Sequence, residues 1–287
     1  MNNQEHIPVL LNEVIDGLNI KENGIYIDLT LGRAGHSSEI LKRVPYGLLI
    51  GVDQDKDAIE SSNARLSKIS SNYKIIKSNF AEIDNILQTL NIDYVDGVLM
   101  DLGVSSPQFD VNKRGFSYKN DAPLDMRMDQ ENNTITAKKI VNSYSLKQLN
   151  EIFEKYGEEK YSYQIAKNII KYRENKEIET TLELVEIIKK SKPQKELKKV
   201  GHPAKQVFQA LRIEVNNELN ILKETLCKVI PRLKPSGGRL AIITFHSGED
   251  RIVKNIFKEY SIAEGNRNNL PIKIEEKQYR QINKKVI

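Results

Sequence analysis

The sequence predicts an α/β fold with a mostly parallel sheet, into which a small helical domain is inserted. Short apolar runs of strand length recur along the chain, at 25–29, 48–52, 74–76, 95–100 and 240–245. Stretches with helical character lie between the first four runs, and this alternation is typical of a parallel sheet covered by helices. Residues 130–205 instead carry apolar residues at helical spacing with no strand-like run, which indicates the insert.

Length and composition exclude several classes of protein. A chain of 287 residues can form one large domain, or one domain with an inserted subdomain. The N-terminus lacks the basic and apolar segments of a signal peptide, and no run reaches the roughly 18 apolar residues of a membrane span. The single Cys227 excludes an internal disulfide framework and a multi-cysteine zinc site. We therefore expect a cytoplasmic protein.

The first predicted strand is followed by a glycine-rich turn. Gly32 and Gly35, with Ala34 between them, allow the backbone to turn tightly beside a ligand, and Ser37 or Ser38 can cap the next helix. Such a turn alone is weak evidence, because ordinary strand-to-helix turns also use glycine. It does not follow the Gly-x-Gly-x-x-Gly pattern, and this disfavours a dinucleotide.

An acidic residue ends the second strand. Asp53 follows Gly35 by 18 positions, which is suitable for binding the two hydroxyls of a ribose, although Asp53 or Asp55 could simply cap the next helix. After the third strand, Phe80 could lie near an adenine or belong to the core. Together, the turn and the acid predict a nucleoside-type cofactor but do not distinguish NAD from S-adenosylmethionine, so a nucleotide-dependent oxidoreductase stays open although the turn at 32–35 disfavours it.

The fourth strand ends at Asp101, and a long irregular segment follows as far as Asp129. Glycine, serine and proline are too frequent there for a regular element, yet apolar residues are retained, which argues against disorder. A carboxylate at the end of a central strand lies where open α/β sheets bind their ligands. A long ordered loop in a compact domain is usually functional.

The C-terminal half contains the rest of the predicted framework. From residue 205 we predict one long helix that ends near Pro231 and buries an apolar stripe, namely Phe208, Leu211, Val215, Leu222 and Leu226. In the insert, the apolar stripes are Leu146, Leu149, Ile152 and Phe153, then Ile165 and Ile169, then Leu182, Val185 and Ile188. Residues 189–205 hold seven lysines and one acid, Glu196, which is either a solvated surface or a set of phosphate contacts.

The fifth strand leads into a polar loop. His246, Glu249 and Arg251 could face a substrate, or they could cap a helix that begins near Asp250. We also predict a helix at 252–260 and a final strand at 271–276. The four histidines are scattered along the chain, at His6, His36, His202 and His246, and we expect no metal site.

The residue inventory is most compatible with methyl transfer. We find no defensible Ser-His-Asp arrangement and no P-loop. A nucleoside cofactor pocket at the first two strands and a polar loop at the fourth suit a reaction in which the cofactor supplies the chemistry and the protein supplies orientation.

Six blocks of sequence resemble the RsmH family, also called MraW, of bacterial 16S ribosomal RNA (cytosine-N4)-methyltransferases. They lie at 6–14, 28–37, 101–110, 114–129, 202–219 and 237–254. The resemblance implies a class I, Rossmann-like methyltransferase that uses S-adenosyl-L-methionine on a cytidine at the decoding site. It implies a methyltransferase core at 1–128 and 206–287, with a helical insert at 129–205 for recognition of ribosomal RNA.

The resemblance also implies particular site residues. The cofactor contacts would be Ala34, Gly35, His36, Asp53, Phe80, Asp101 and Gln108. Asp101 would orient the target amine or the amino-acid end of the cofactor, and Ser105 or Ser106 would help to hold the base. Phe109 or Phe116 could stack on the flipped base, or either could be core. The chain departs from the family where Ala34 replaces glycine, where Gly248 replaces leucine and in its C-terminal tail.

The implied partner is 16S ribosomal RNA within the small ribosomal subunit, and no membrane is implied. The sequence leaves the oligomeric state open, with a homodimer as one alternative. A different function also stays open at this point: an RNA-binding protein that retains a methyltransferase fold, or a methyltransferase for another substrate.

Overall fold

The protein is described here from a computed structural model covering residues 8–103, 114–261, 278–283 and 287. It contains a five-stranded sheet in the order β3-β2-β1-β4-β5, and every pair of neighbouring strands is parallel. The strands are β1 (Ile25–Asp28), β2 (Leu48–Asp53), β3 (Tyr73–Lys77), β4 (Gly97–Asp101) and β5 (Arg239–Ile243). The predicted α/β class with a mostly parallel sheet is therefore confirmed.

The sheet is buried on both faces. Successive residues of a strand point to opposite sides, so Tyr26 and Ile27 of β1 enter different core clusters, as do Val98 and Leu99 of β4. This explains why the strands are continuous apolar runs rather than alternating ones. The chain reverses its winding direction between β1 and β4, and a sheet of this kind binds ligands at the carboxyl ends of the strands beside that point.

Residues Met1–Gly103 and Leu219–Ile287 form one compact unit, which we call the sheet unit. Its helices are α1 (Leu11–Leu18), α2 (Gly35–Lys42), α3 (Lys56–Leu66), α4 (Ile83–Thr89), α11 (Glu218–Val229) and α12 (Ser247–Ser261), the first residue of α11 belonging to the other unit. Short 3₁₀ helices occur at Phe80–Glu82 and Ile230–Arg232. The predicted helix at 252–260 lies within α12, and the predicted strand at 271–276 falls outside the described residues.

Residues Val104–Glu218 form the second compact unit, the helical unit. Its helices are α5 (Ala137–Ser143), α6 (Leu146–Lys155), α7 (Ser162–Arg173), α8 (Thr181–Ser191), α9 (Gln194–Leu197) and α10 (Lys205–Asn216). The unit extends beyond 129–205 on both sides. Phe116 and Leu124 on one side, and Leu211 on the other, are buried in the same core as α6 and α8.

The long helix predicted to run from 205 to near Pro231 is wrong, because the chain forms two helices there. Asn217 adopts a left-handed conformation, with φ of 51°, and ends α10 before α11 begins at Glu218. Asparagine tolerates this conformation better than most residues, so an apolar stripe continues across a break that the spacing does not reveal. Leu182 also departs from its predicted stripe, because it is exposed while Leu184 beside it is buried.

Candidate functional site

The turn after β1 is held at the carboxyl edge of the sheet by backbone hydrogen bonds. Leu31 N–H donates to the carbonyl of Val52 at the end of β2. Gly32 and Ala34 both have positive φ, 51° and 57°, and these conformations bend the chain back into α2. Glycine adopts such a conformation at little cost, whereas alanine pays a steric penalty there. The turn therefore presents its backbone at this edge.

Asp53 links the turn to the end of β2. Its Oδ2 accepts a hydrogen bond from the Gly32 N–H at 2.9 Å, and its Oδ1 accepts one from the Asp55 N–H at 2.8 Å. Burial raises the pKa of Asp53 to about 6, although these two hydrogen bonds oppose the shift. Asp55 instead caps α3 through its own side chain, so the capping role belongs to Asp55.

Asp28 lies beneath the same turn and ties it to α2. Its Oδ2 accepts a hydrogen bond from the Ser37 hydroxyl at 2.7 Å, and its Oδ1 accepts one from the Thr30 N–H at 3.1 Å. Burial raises the pKa of Asp28, and the hydrogen bond from Ser37 opposes that rise. The prediction that Ser37 or Ser38 caps this helix is wrong, because α2 begins at Gly35 and both serines lie within it.

Asp101 is the last residue of β4, beside β1 at the point where the winding direction reverses. Its backbone N–H donates to the Thr30 hydroxyl at 2.6 Å, which fixes the strand end against the turn. Its Oδ2 lies 3.6 Å from Nδ1 of His36. Asp101 and His36, two of the predicted site residues, are thus brought together.

The chain around residues 8–10 contributes to the site in a way that sequence reasoning missed. His36 is only 4% exposed, and its Nε2 lies 2.9 Å from the Val9 carbonyl oxygen. The Pro8 ring packs so closely on Gly35 that a Cβ there would lie 2.5 Å from Pro8 Cγ. Residues 8–10 carry no local pattern in the sequence that predicts this contact with the 34–36 turn.

Phe80 begins the 3₁₀ helix after β3 and is partly buried against the apolar cluster of one sheet face. The preceding Asn79 accepts a hydrogen bond from the Ala81 N–H and so fixes the start of this helix. A partly buried ring has one part in the core and one part accessible. The two alternatives for Phe80, core and adenine contact, are therefore compatible with each other.

The remaining predicted residues either fall outside the described part of the chain or are placed elsewhere in it. Ser105, Ser106, Gln108 and Phe109 lie outside the described residues. Phe116 is 4% exposed in the core of the helical unit. Of the two alternatives for this residue, stacking on the base and packing in the core, the structure supports packing in the core. Glu249 is buried, accepts a hydrogen bond from the Phe245 N–H and lies 3.2 Å from His246, so both residues stabilise the start of α12.

The segment that begins at Arg114 is ordered by contacts within the helical unit. Burial disfavours the charge of Asp125, but two hydrogen bonds from the Arg127 guanidinium outweigh burial and lower the pKa of Asp125. The side chain of Asn216 accepts from the Met128 N–H and donates to the Met126 carbonyl. This segment is therefore a fixed scaffold, not a free loop.

The lysines of 189–205 fall into two groups. Lys192 is buried, with Nζ 2.6 Å from Glu159 Oε2 and 2.6 Å from the Pro203 carbonyl oxygen. The others reach the surface at least in part, and the exposed ones are Lys190, Lys195, Lys198, Lys199 and Lys205. Lys199 pairs with Glu196 at 2.8 Å. The seven lysines of the sequence therefore do not form one uniform surface, because Lys192 supports the fold.

Within the described residues there is no group of three or more His, Cys, Asp or Glu side chains that could hold a metal ion. The same residues contain no helix that is both long and apolar enough to cross a membrane. The edge of the sheet presents hydrogen-bond acceptors from Asp53 and Asp101 beside a tight turn. Such an arrangement can bind hydroxyl and amino groups and can orient an amine for attack.

Comparison with known proteins agrees with this reading. The family model described as the MraW methylase family matches residues 3–287. A protein of Mesoplasma florum named ribosomal RNA small subunit methyltransferase H is 56% identical over 274 residues, which is 95% of this chain and 88% of that protein. A protein of the same name from Halothermothrix orenii is 56% identical over 256 residues, 89% of this chain and 81% of that protein.

Proposed function

The chain belongs to the MraW methylase family, and from that premise we propose that it is an S-adenosyl-L-methionine-dependent methyltransferase for small-subunit ribosomal RNA. The proposed acceptor is the exocyclic N4 amine of a cytidine at the decoding site of 16S ribosomal RNA. The observation that supports this function best is the carboxylate of Asp101 at the end of β4, next to the turn held by Asp53.

The residues present fit a cofactor of this kind. Each carboxylate oxygen has two lone pairs, and each oxygen of Asp53 uses one for a backbone N–H. One lone pair on each oxygen stays available, which matches the two neighbouring hydroxyls of a ribose. The backbone of Ala34, Gly35 and His36 would contact the amino-acid end of the cofactor, and Phe80 would contact the adenine.

When bound, S-adenosyl-L-methionine would supply an electrophilic methyl group on sulfur. The amine of cytosine is a poor nucleophile, because its lone pair is delocalised into the ring. A carboxylate that accepts a hydrogen bond from the amine would hold the lone pair toward the methyl group and stabilise the positive charge that develops on nitrogen. We assign this role to Asp101, and we keep Ser105 or Ser106 as the residue that helps to hold the base.

The helical unit is the proposed site of ribosomal RNA recognition. The support is its segment of exposed lysines, which can contact phosphates as long, flexible cations. The ring of His202 stacks on Tyr118 with centroids 4.4 Å apart, within the same unit. Burial lowers the pKa of His202, and the positive charges of Lys189, Lys119 and Lys192 lower it further. Here the aromatic pair is accompanied by positive charge, a combination suited to RNA.

The proposed function is tested with small ribosomal subunits that lack the modification, incubated with purified protein and labelled S-adenosyl-L-methionine. Digestion to nucleosides should give N4-methylcytidine, and free 16S RNA in parallel shows which form is the substrate. Binding without methyl transfer would favour an RNA-binding protein that retains the fold. Label in any other nucleoside would favour a different substrate.

Asp101→Ala provides the test of the proposed acceptor. We expect a loss of turnover of about 10²-fold or more, because a positioned acceptor is removed from the reacting amine. Asp93→Ala is the matched control, since Asp93 is an exposed acid shortly before the same strand. Turnover of Asp101→Ala close to that of the wild type would contradict the assignment.

A further inference from the structure

We infer that His36 is a positioning residue that acts through Asp101: the two side chains together take up the proton that the methylated amine releases, and the shared proton holds Asp101 against His36. The inference rests on the proposed function and adds a role that the imidazole would have beyond a contact of its backbone with the cofactor. It is carried by the geometry of Val9, His36 and Asp101, all within the sheet unit.

The carbonyl of Val9 fixes the tautomer of His36. A carbonyl oxygen only accepts hydrogen bonds, so at 2.9 Å the Nε2 of His36 must carry the proton and donate it. In the neutral ring, Nδ1 is then the nitrogen with the free lone pair. Nδ1 is the atom that faces Asp101, 3.6 Å from Oδ2. The contact with residue 9 thus turns the basic atom of the imidazole toward the proposed catalytic carboxylate.

The ring has little freedom to turn away. Its side chain is 5% exposed, and it is the second residue of α2, whose N-cap is the strained Ala34. The carboxylates that act on it are Asp101 from β4 and Asp28 from β1. Asp28 is itself held by Ser37 and Thr30, and Thr30 also accepts the backbone N–H of Asp101. Both partners of the pair are therefore fixed by the same turn.

A carboxylate oxygen and a neutral imidazole nitrogen both act as acceptors, so they attract each other only when a proton lies between them. Methyl transfer supplies that proton. The bond from N4 to the methyl carbon forms, the bond from that carbon to sulfur breaks with its electrons going to sulfur, and one N4–H bond then breaks. Its proton passes to Oδ2 of Asp101 and is shared with Nδ1 of His36. The pair thus gains a hydrogen bond as the product forms.

Two amide variants distinguish the roles of the two ring nitrogens of His36. His36→Asn places an amide nitrogen near the Nδ1 position, where it can hold Asp101 but cannot accept a proton. His36→Gln places its amide near the Nε2 position, where it can bond to the Val9 carbonyl but leaves Asp101 without this neighbour. We expect kcat to fall in the order wild type, His36→Asn, His36→Gln, by about tenfold at each step. The Kd for S-adenosylhomocysteine should stay within about threefold.

Equal kcat in the two variants would overturn the positioning role, and a kcat of His36→Asn close to that of the wild type would overturn the proton uptake. A loss confined to cofactor affinity would overturn both. A second readout uses the protein without cofactor. With ¹⁵N-labelled histidine, Asp101→Asn should shift the Nδ1 resonance of His36 while leaving that of His246 unchanged. An unshifted His36 would exclude the pair.

This second readout does not depend on methyl transfer. If the wild type methylates no ribosomal RNA, the proposed function fails while the resonances still show whether the pair exists. If the wild type methylates RNA and the variants do not separate, only the inference about His36 fails.

Discussion

At the scale of single residues, the site retains an acid that is costly to ionise. Burial raises the pKa of Asp53 to about 6, so Asp53 loses its proton less readily than an exposed aspartate does. The ionised form is the one that can accept two hydroxyl hydrogen bonds. A ligand that donates hydrogen bonds to Asp53 would therefore stabilise its ionised form.

We therefore predict that cofactor affinity depends on pH. Above about pH 7 the Kd for S-adenosylhomocysteine should be constant. Below the pKa of about 6 it should rise by up to about tenfold per pH unit, since protonated Asp53 must first lose its proton. Titration calorimetry from pH 5 to pH 8 measures this. Asp53→Asn should bind more weakly at pH 8 and lack this pH dependence. If the dependence persisted in the variant, it would have to come from another acid, such as Asp28, whose pKa is also raised by burial.

Single residues also show how far the sequence predicted the site. Asp53 and Asp101 were identifiable because parallel strands end at one edge of the sheet, and an acid at a strand end is visible in the sequence. The bond from His36 to the Val9 carbonyl was not, because it joins positions 27 apart through a backbone atom that no motif identifies. The sequence also left open whether Phe116 is exposed or buried, because its burial depends on helices far along the chain.

At the scale of secondary-structure elements, the turn from β1 to α2 tolerates a strained residue. Ala34 is buried and left-handed, with φ of 57° and ψ of 35°. We predict that Ala34→Gly costs less stability than Ala58→Gly, in the first turn of α3, by about 1 kcal/mol. Both changes remove one methyl group, but only the first relieves strain. Urea unfolding of the two variants measures the difference, and equal costs would contradict it.

A second element-scale feature is the buried ion pair that joins the region after α6 to the end of α8. The side chains of Lys192 and Glu159 are 7% and 3% exposed. We predict that Lys192→Met destabilises the protein by about 3 kcal/mol, because it leaves a buried carboxylate without its partner. The double variant Lys192→Met/Glu159→Gln should recover part of that loss. Lys190→Met, at an exposed position, should change stability by less than about 0.5 kcal/mol.

The elements differ in how well their sequence defines them. The five strands were predicted closely, because a strand buried on both faces is a continuous apolar run. The break between α10 and α11 was not predicted, because the stripe from Phe208 to Leu226 continues in phase across Asn217. What separates these helices is their membership of two different units, and that is decided by tertiary packing, not by local spacing.

At the scale of the whole molecule, the chain divides the proposed reaction between two units. The sheet unit provides the acids and the turn of the candidate cofactor site, and the helical unit provides the exposed lysines. The sequence shows both features, since a sheet edge and a lysine-rich segment are local patterns. It does not show which lysines support the fold, and the burial of Lys192 removes one of the seven from the candidate RNA contacts.

This division predicts that the lysines of the helical unit control the salt dependence of RNA binding. Lys190, Lys195, Lys198 and Lys205 are exposed, so replacing all four by glutamine removes positive charge without disturbing the buried pair. If each lysine contacts one phosphate of a single-stranded region, the slope of log K against log salt should become shallower by about 3, at roughly 0.7 per contact. Filter binding of 16S RNA fragments between 50 and 300 mM salt measures this slope.

The matched control replaces four other exposed lysines of the helical unit, namely Lys139, Lys147, Lys155 and Lys171. It changes the net charge by the same amount, so a general electrostatic effect would make both slopes equally shallow. A localised RNA-binding surface should instead leave the control slope within about 1 of the wild type. With either set of substitutions, cofactor affinity should be unchanged, because the residues proposed to hold the cofactor all lie in the sheet unit apart from Gln108. If the first set left the slope unaltered, RNA recognition would have to be sought on another surface of the chain.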